Sequence, residues 1–202
     1  MRLFKAVAVT SVLVTALTGT AHAEEFNGPF VGVQAGWNSD KVANLDTPLG
    51  AVPMDDDYQS FTGGVYAGYD HLVADPFVVG VEGSFDVTSD DKLWKSSNTH
   101  AFTLDPKYAF DLTARTGYLV TPETLIYVRG GYTNVRIKTT LADSVGPVSE
   151  SGNQDGWLVG GGAERQLTSN VSARLEYRYS DLSEGAGTYD RHRVLTGISY
   201  RF

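Results

Sequence analysis

Val194-Leu195-Thr196-Gly197-Ile198-Ser199-Tyr200-Arg201-Phe202 ends the chain, and its reading decides the fold. Val194, Thr196, Ile198, Tyr200 and Phe202 fall at every second position. Successive side chains of an extended strand point to opposite faces, so this spacing gathers an apolar, aromatic set on one face. The run reads as a β-strand, and seven more of the same period precede it.

Each upstream run divides into an apolar face and a small or polar face. Near 30–38, Val31, Val33, Ala35 and Trp37 oppose Gly32, Gln34, Gly36 and Asn38. Near 59–70, Val65, Ala67 and Tyr69 oppose Gly64, Tyr66, Gly68 and Asp70. Near 77–86, Val79, Val81 and Phe85 oppose Gly80, Glu82, Ser84 and Asp86. Near 107–119, Phe110, Leu112 and Ala114 oppose Asp111, Thr113 and Arg115, and near 124–135, Ile126, Val128 and Tyr132 oppose Tyr127, Arg129 and Thr133. Near 156–166, Trp157, Val159 and Ala163 oppose Leu158, Gly160 and Glu164, and near 171–180, Leu175, Tyr177 and Tyr179 oppose Arg174, Glu176 and Arg178. No long segment carries the i, i+3, i+4, i+7 spacing of an amphipathic helix.

Eight runs of about ten residues predict an all-β fold, an eight-stranded antiparallel up-and-down transmembrane β-barrel. Short links at 71–76, 120–123 and 167–170 alternate with longer polar connections, the asymmetry of short periplasmic turns and long outer loops. Both ends of the exported chain then lie on the periplasmic side. A soluble barrel would have to fill its lumen with Tyr, Val, Phe and Trp from every strand. The reverse arrangement puts aromatics at the membrane rims and paired polar groups in a narrow interior. Gly36 also directly precedes Trp37, which is not the lipocalin G-x-W spacing.

The N-terminal segment reads as an export signal. Arg2 and Lys5 supply the positive region, residues 6–17 the apolar stretch, and Ala21-His22-Ala23 the cleavage pattern, with cleavage expected between Ala23 and Glu24. Residues 24–202 are then expected to form the barrel domain, with no room for a C-terminal peptidoglycan-binding domain. Removal of Arg2 and Lys5 takes the net charge from −8 to −10, which argues against nucleic acid. With no cysteine, disulfides and thiolate metal sites are excluded.

Counted upward from the short turns, Glu82, Arg129 and Glu176 are each the sixth residue of their strand. Arg115 and Glu164 lie on the strands between them. A buried ion without a partner is far costlier than a paired one, so Glu82, Arg115, Arg129, Glu164 and Glu176 are expected to form a lumen network. Asp111, Arg174 and Arg178 surround it. Paired carboxylates also serve acid–base catalysis, but the lumen of an eight-stranded barrel is filled by its own side chains. A closing, stiffening plug is the expected role, and no cofactor is required.

Other candidates are weaker. His100 and His192 fall near outer loops without metal-ligand spacing, and His71 falls in a short turn. Asp55, Asp56 and Asp57 lack the glycine and distal glutamate of a calcium-binding EF-hand loop. Arg165, out of place in the apolar pattern, lies where it can snorkel to lipid headgroups.

Three stretches resemble the small outer-membrane proteins of brucellae and rhizobia, a porin-like family related to the hemin-binding proteins of bartonellae. They are 64–70 followed by 79–83, 156–164 followed by 172–177, and 197–202. The resemblance implies the transmembrane barrel of outer-membrane protein A in a Gram-negative cell envelope. The last residues, Ile198, Tyr200 and Phe202, also resemble the signal read by the barrel-assembly machinery. The expected function is a non-enzymatic barrel of the cell outer membrane, among lipid and lipopolysaccharide, with an envelope-structural and surface role. The alternatives are a narrow porin or channel for small solutes, or a surface protein binding heme or a host molecule through loops around Asp55, Trp94, His100 and His192.

Overall fold

The computed structural model describes residues 26–47, 50–89, 93–97, 100–143, 146–183 and 188–202, with side chains except those of 42–58, 93–107, 137–151 and 188. Ala23 and Glu24, and the side chains of Asp55, Asp56, Asp57, Trp94 and His100, lie outside the described set.

Nine strand segments make one antiparallel sheet: β1 (Gly28–Thr47), β2 (Gly50–Ala74), β3 (Phe77–Thr88), β4 (Leu93–Ser97), β5 (His100–Thr121), β6 (Thr124–Asp143), β7 (Gly146–Gln166), β8 (Val171–Asp181) and β9 (Thr188–Arg201). Neighbours in chain order pair with each other except β3 and β4, and β1 pairs with β9 from Phe30↔Arg201 to Ala43↔Thr188, closing the cylinder. Both β3 and β4 pair with β5, one above the other, so the nine segments make eight staves. Closure leaves no open sheet edge within the membrane, which backbone groups require where no water can satisfy them.

The two faces separate as the alternation dictates. Outward positions are apolar and open, with Leu175 62% and Val128 60% exposed, while inward Glu164 and Arg178 are 0% exposed. In water such a belt would be an association surface; in lipid it is the solvated face. Aromatic side chains mark its ends, with Phe77 against Tyr118 near the short turns and Trp157 against Tyr179 near the opposite rim. Small residues on the inward face make room for large ones. A Cβ on Gly32 would sit 2.3 Å from the Tyr66 ring and 2.6 Å from the Ile198 carbonyl oxygen.

The strands are longer than the alternation indicates. β1, β2, β5, β6 and β7 have 20, 25, 22, 20 and 21 residues, and they continue through stretches that read as outer loops. Beyond the membrane neither lipid nor a packed lumen dictates the side chains, so backbone pairing continues without the two-residue period.

Candidate functional site: the lumen

Lumen-facing charges sit on alternate staves, which sorts them into layers. The lowest layer comes from β2, β5, β7 and β9, that is, every second stave. Asp70, Arg115, Glu164 and Arg201 form a closed ring of alternating charge there. The Arg115 guanidinium takes both Asp70 oxygens, Nε to Oδ1 at 2.8 Å, and reaches Glu164 at 3.1 Å. Arg201 completes the ring, with 2.8 Å to Asp70 and 2.8 Å to Glu164. Every member is buried, as the narrow bore of eight strands demands.

An apolar floor lies beneath this ring. Phe26, Val78, Leu125 and Tyr127 pack together, with Leu72 and Leu119 against them. Phe26 adopts φ 62°, a left-handed conformation uncommon for a residue with a Cβ, and its ring is fully buried. The Arg201 guanidinium lies 4.6 Å from the Phe26 ring centroid, and Arg115 lies 4.7 Å from that of Phe30. Planar cations held over aromatic faces gain attraction that water would screen. The first described residue thus turns into the barrel mouth at the short-turn end.

The middle layer uses the other four staves: β1, β3, β6 and β8. Glu82 is its centre, accepting from Arg129 at 2.7 Å and from Arg174 at 2.6 Å. Arg129 also reaches Glu176 at 2.8 Å, and Tyr127 donates its hydroxyl to Glu176 at 2.6 Å. Arg174 and Glu82 stand on diametrically opposite staves, so their ion pair spans the bore. Gln34 accepts from Arg174 at 2.7 Å, and the Tyr66 ring lies 3.5 Å beneath that guanidinium.

Above it, Arg178 ties the middle layer to the next through Glu176 and through Asp111 at 3.0 Å. Asp111 accepts from Arg193 at 2.7 Å, again across the full bore, and from Thr133 at 2.6 Å. Asp86 receives Gln34 at 2.7 Å and Arg193 at 3.4 Å. Highest, Arg191 makes a two-pronged pair with Asp40 at 2.6 and 3.1 Å and donates to Tyr189 at 2.6 Å.

The structure brings together all eight charges expected in the lumen. Arg129 does bridge Glu82 and Glu176, whereas Glu164 and Arg115 belong to the ring one layer below. Six further members were missed: Asp40, Asp70, Asp86, Arg191, Arg193 and Arg201. The signal was present, because Leu195, Gly197, Ser199 and Arg201 are the second face of the quoted terminal strand, and Arg191 and Arg193 continue that face just ahead of it. The buried charges then comprise seven arginines and seven carboxylates, so the described lumen is electrically balanced.

The remaining candidates are elsewhere. His192 faces outward in the aromatic rim, its Nδ1 2.6 Å from the Tyr177 hydroxyl and its ring 5.2 Å from that of Tyr179. His71 lies 3.3 Å from Asn27 at the short-turn end. Arg165 is exposed beside the β5–β6 turn and pairs with Glu123 at 3.6 Å.

An outward apolar belt, a charge-filled bore and eight closed staves define a membrane barrel, and comparison with known proteins settles its family. The Outer membrane protein beta-barrel domain matches residues 7–202. The chain belongs to that family, and its place is the outer membrane. It is 30% identical over 186 residues to the 25 kDa outer-membrane immunogenic protein of Brucella canis, covering 88% of this chain and 78% of the relative. It is also 30% identical over 155 residues to the 22 kDa outer membrane protein of Rhizobium leguminosarum bv. viciae, covering 70% and 66%. Among solved structures, Neisserial surface protein A superposes with a TM-score of 0.54 at 19% identity, over 85% of this chain and 97% of that one. The attachment invasion locus protein of Yersinia pestis gives 0.51 at 17% identity, over 88% and 100%. These last two likenesses concern the fold.

Proposed function

We propose that this barrel is a closed, non-enzymatic element of the outer membrane that stiffens the envelope and displays its outer strands at the cell surface. The observation that carries the reading is the lower charge ring, Asp70–Arg115–Glu164–Arg201, seated on an apolar floor. It bars the bore with groups that have no cheap alternative partner, because separating a buried pair leaves an ion in low dielectric. The layers above repeat the barrier twice with pairs that reach from wall to wall.

Planar-bilayer recording of refolded protein tests it. Wild type is expected to conduct weakly or not at all, and a large, stable open state would replace this reading with the porin one. Lipid and lipopolysaccharide are the partners of the outward belt in this reading, and the assembly machinery is the partner of the last strand. Phe202 donates its amide to Pro29 at 3.1 Å and packs edge-on against Tyr200 at 5.1 Å. Deleting Phe202 should lower outer-membrane levels in cells while leaving refolding in detergent intact; unchanged cellular levels would remove the assembly role.

A further inference from the structure

One patch of the lipid-facing belt is recessed. Near the short-turn end a groove of about 220 Å³ opens on the outward face along β5 and β6. Phe77 and Tyr118, packed edge-on at 5.5 Å, make one wall, and Ile126 and Val128 make the other. Gly117 and Tyr127, paired across β5 and β6, form the floor. Thr116 completes the lining, and its hydroxyl donates to the Val78 carbonyl at 3.4 Å, which leaves its methyl group to the groove. A recess left unfilled forfeits the contacts of its walls, so in a bilayer the filling is an acyl chain.

Charges at the mouth of the groove say which lipid that chain belongs to. Tyr118 pairs with Ile126, two residues above Thr124 at the β5–β6 turn, a distance of about 7 Å along the strand. Arg165 of β7 is opposite Thr124, on the outward side of its strand. Its guanidinium lies 3.6 Å from the Glu123 carboxylate, and the two side chains are 68% and 58% exposed. The Gln166 amide donates to the Glu123 carbonyl at 2.8 Å, which ties this turn to β7. An ion pair so long and so exposed is weak, and both groups keep donors and acceptors for another partner. Asp75, exposed in the β2–β3 turn beside Phe77, adds a second carboxylate at the mouth. One cation flanked by carboxylates does not suit an anionic headgroup. It does match a zwitterion, whose phosphate meets the guanidinium while its ammonium meets the carboxylate.

We propose that this groove and the Arg165–Glu123 pair hold one phospholipid with an ethanolamine headgroup in the periplasmic leaflet. Its chain lies along Tyr118 and Ile126 toward Thr116 and Val128, its phosphate accepts from Arg165, and its primary ammonium donates to Glu123. A choline headgroup has no N–H to donate. The site rests on the outward belt meeting lipid, as read above, and is independent of whether the bore conducts.

Native mass spectrometry of the refolded barrel tests the assignment, after release from nanodiscs holding equal amounts of phosphatidylethanolamine, phosphatidylcholine and phosphatidylglycerol with identical chains. Wild type should retain one phosphatidylethanolamine in preference to either other lipid by about threefold or more, the scale of a charge contact at an exposed rim. Glu123→Gln should erase the preference over phosphatidylcholine, and Arg165→Gln should lower retention of phosphatidylethanolamine itself. Thr116→Leu fills the groove and should lower retention of every lipid. All of these positions face outward, and the heat-dependent shift in gel migration checks that each variant still closes. Equal retention of the lipids by wild type, a preference for phosphatidylglycerol, or variants that retain lipid as wild type does would each overturn the proposal. A barrel that inserts but shows no preference leaves the lipid contact of the belt standing, whereas one that does not insert overturns both.

Discussion

The membrane-spanning part of the barrel and the strands above it are one continuous backbone ribbon under opposite constraints. Within the membrane every residue answers to lipid on one side and to a packed, charged bore on the other. Charges there are matched seven to seven and distributed over alternate staves. Above the rim the same strands keep their hydrogen bonds but lose the period and the balance. Residues 24–202 carry a net charge of −10, whereas the described lumen carries none. Backbone pairing alone makes a ribbon; the two environments are what make it a closed cylinder.

The largest expected effect is at the centre of the bore. Glu82→Ala removes the carboxylate shared by Arg129 and Arg174, and uncompensated buried charge of this kind costs about 3 to 5 kcal/mol. Urea unfolding in lipid vesicles measures it, and a loss below about 1 kcal/mol would mean that water solvates the layer. Next, Leu175→Arg places a charge toward lipid and should cost ~2–4 kcal/mol, read from the same unfolding midpoint. Were it neutral, the face assignment would be inverted.

Glycines offer a sharper contrast at smaller cost. A Cβ on Gly32 would collide with the Tyr66 ring and the Ile198 backbone, whereas on Gly63 its nearest neighbour is 3.7 Å away. Gly32→Ala should therefore destabilise by about 1 to 3 kcal/mol and Gly63→Ala by less than about 0.5 kcal/mol. Equal losses would remove the distinction between crowded and open faces. Within the bore, a double-mutant cycle between Arg129→Ala and Glu176→Gln should show coupling of about 0.5 to 3 kcal/mol. Glu176 keeps Arg178 and Tyr127 as partners, so the coupling should be smaller than the loss at Glu82.

The smallest effect lies above the rim. Hydrogen bonds from Tyr132 and Asn134 hold the Asp155 carboxyl below the usual aspartate value of 3.8. Its contribution to the β6–β7 tie is present above that value and fades as pH falls through the lower folded-state value. Protection of the Val135 and Gln154 amides, taken relative to intrinsic exchange at each pH, should fall only in that acid window, with no change between pH 5 and 8.

Much of this was legible in the sequence, and for a physical reason. Lipid and lumen act on each residue of a spanning strand, so Val31 through Trp37 or Leu175 through Tyr179 declare their faces without knowledge of the fold. Counting from the short turns also brought Glu82, Arg129 and Glu176 to one height. Stagger was harder to see. Glu164 falls a layer lower because closing the barrel shifts each stave along its neighbour. Arg193 and Arg201 were visible as the back of an apolar strand, but their partners Asp111 and Asp70 are on staves far away in sequence. The outer halves of β1, β2, β5, β6 and β7 were read as loops because nothing outside the membrane forces their side chains to alternate.

The balance of the bore has an electrical consequence. Moving one elementary charge through 100 mV involves roughly 2.3 kcal/mol, enough to drive a gate that carries several unmatched charges. Seven guanidiniums locked to seven carboxylates present no net charge for a field to pull. Reversing the applied voltage across a bilayer holding this barrel should leave its conductance unaltered, because the field does equal and opposite work on the two halves of every pair.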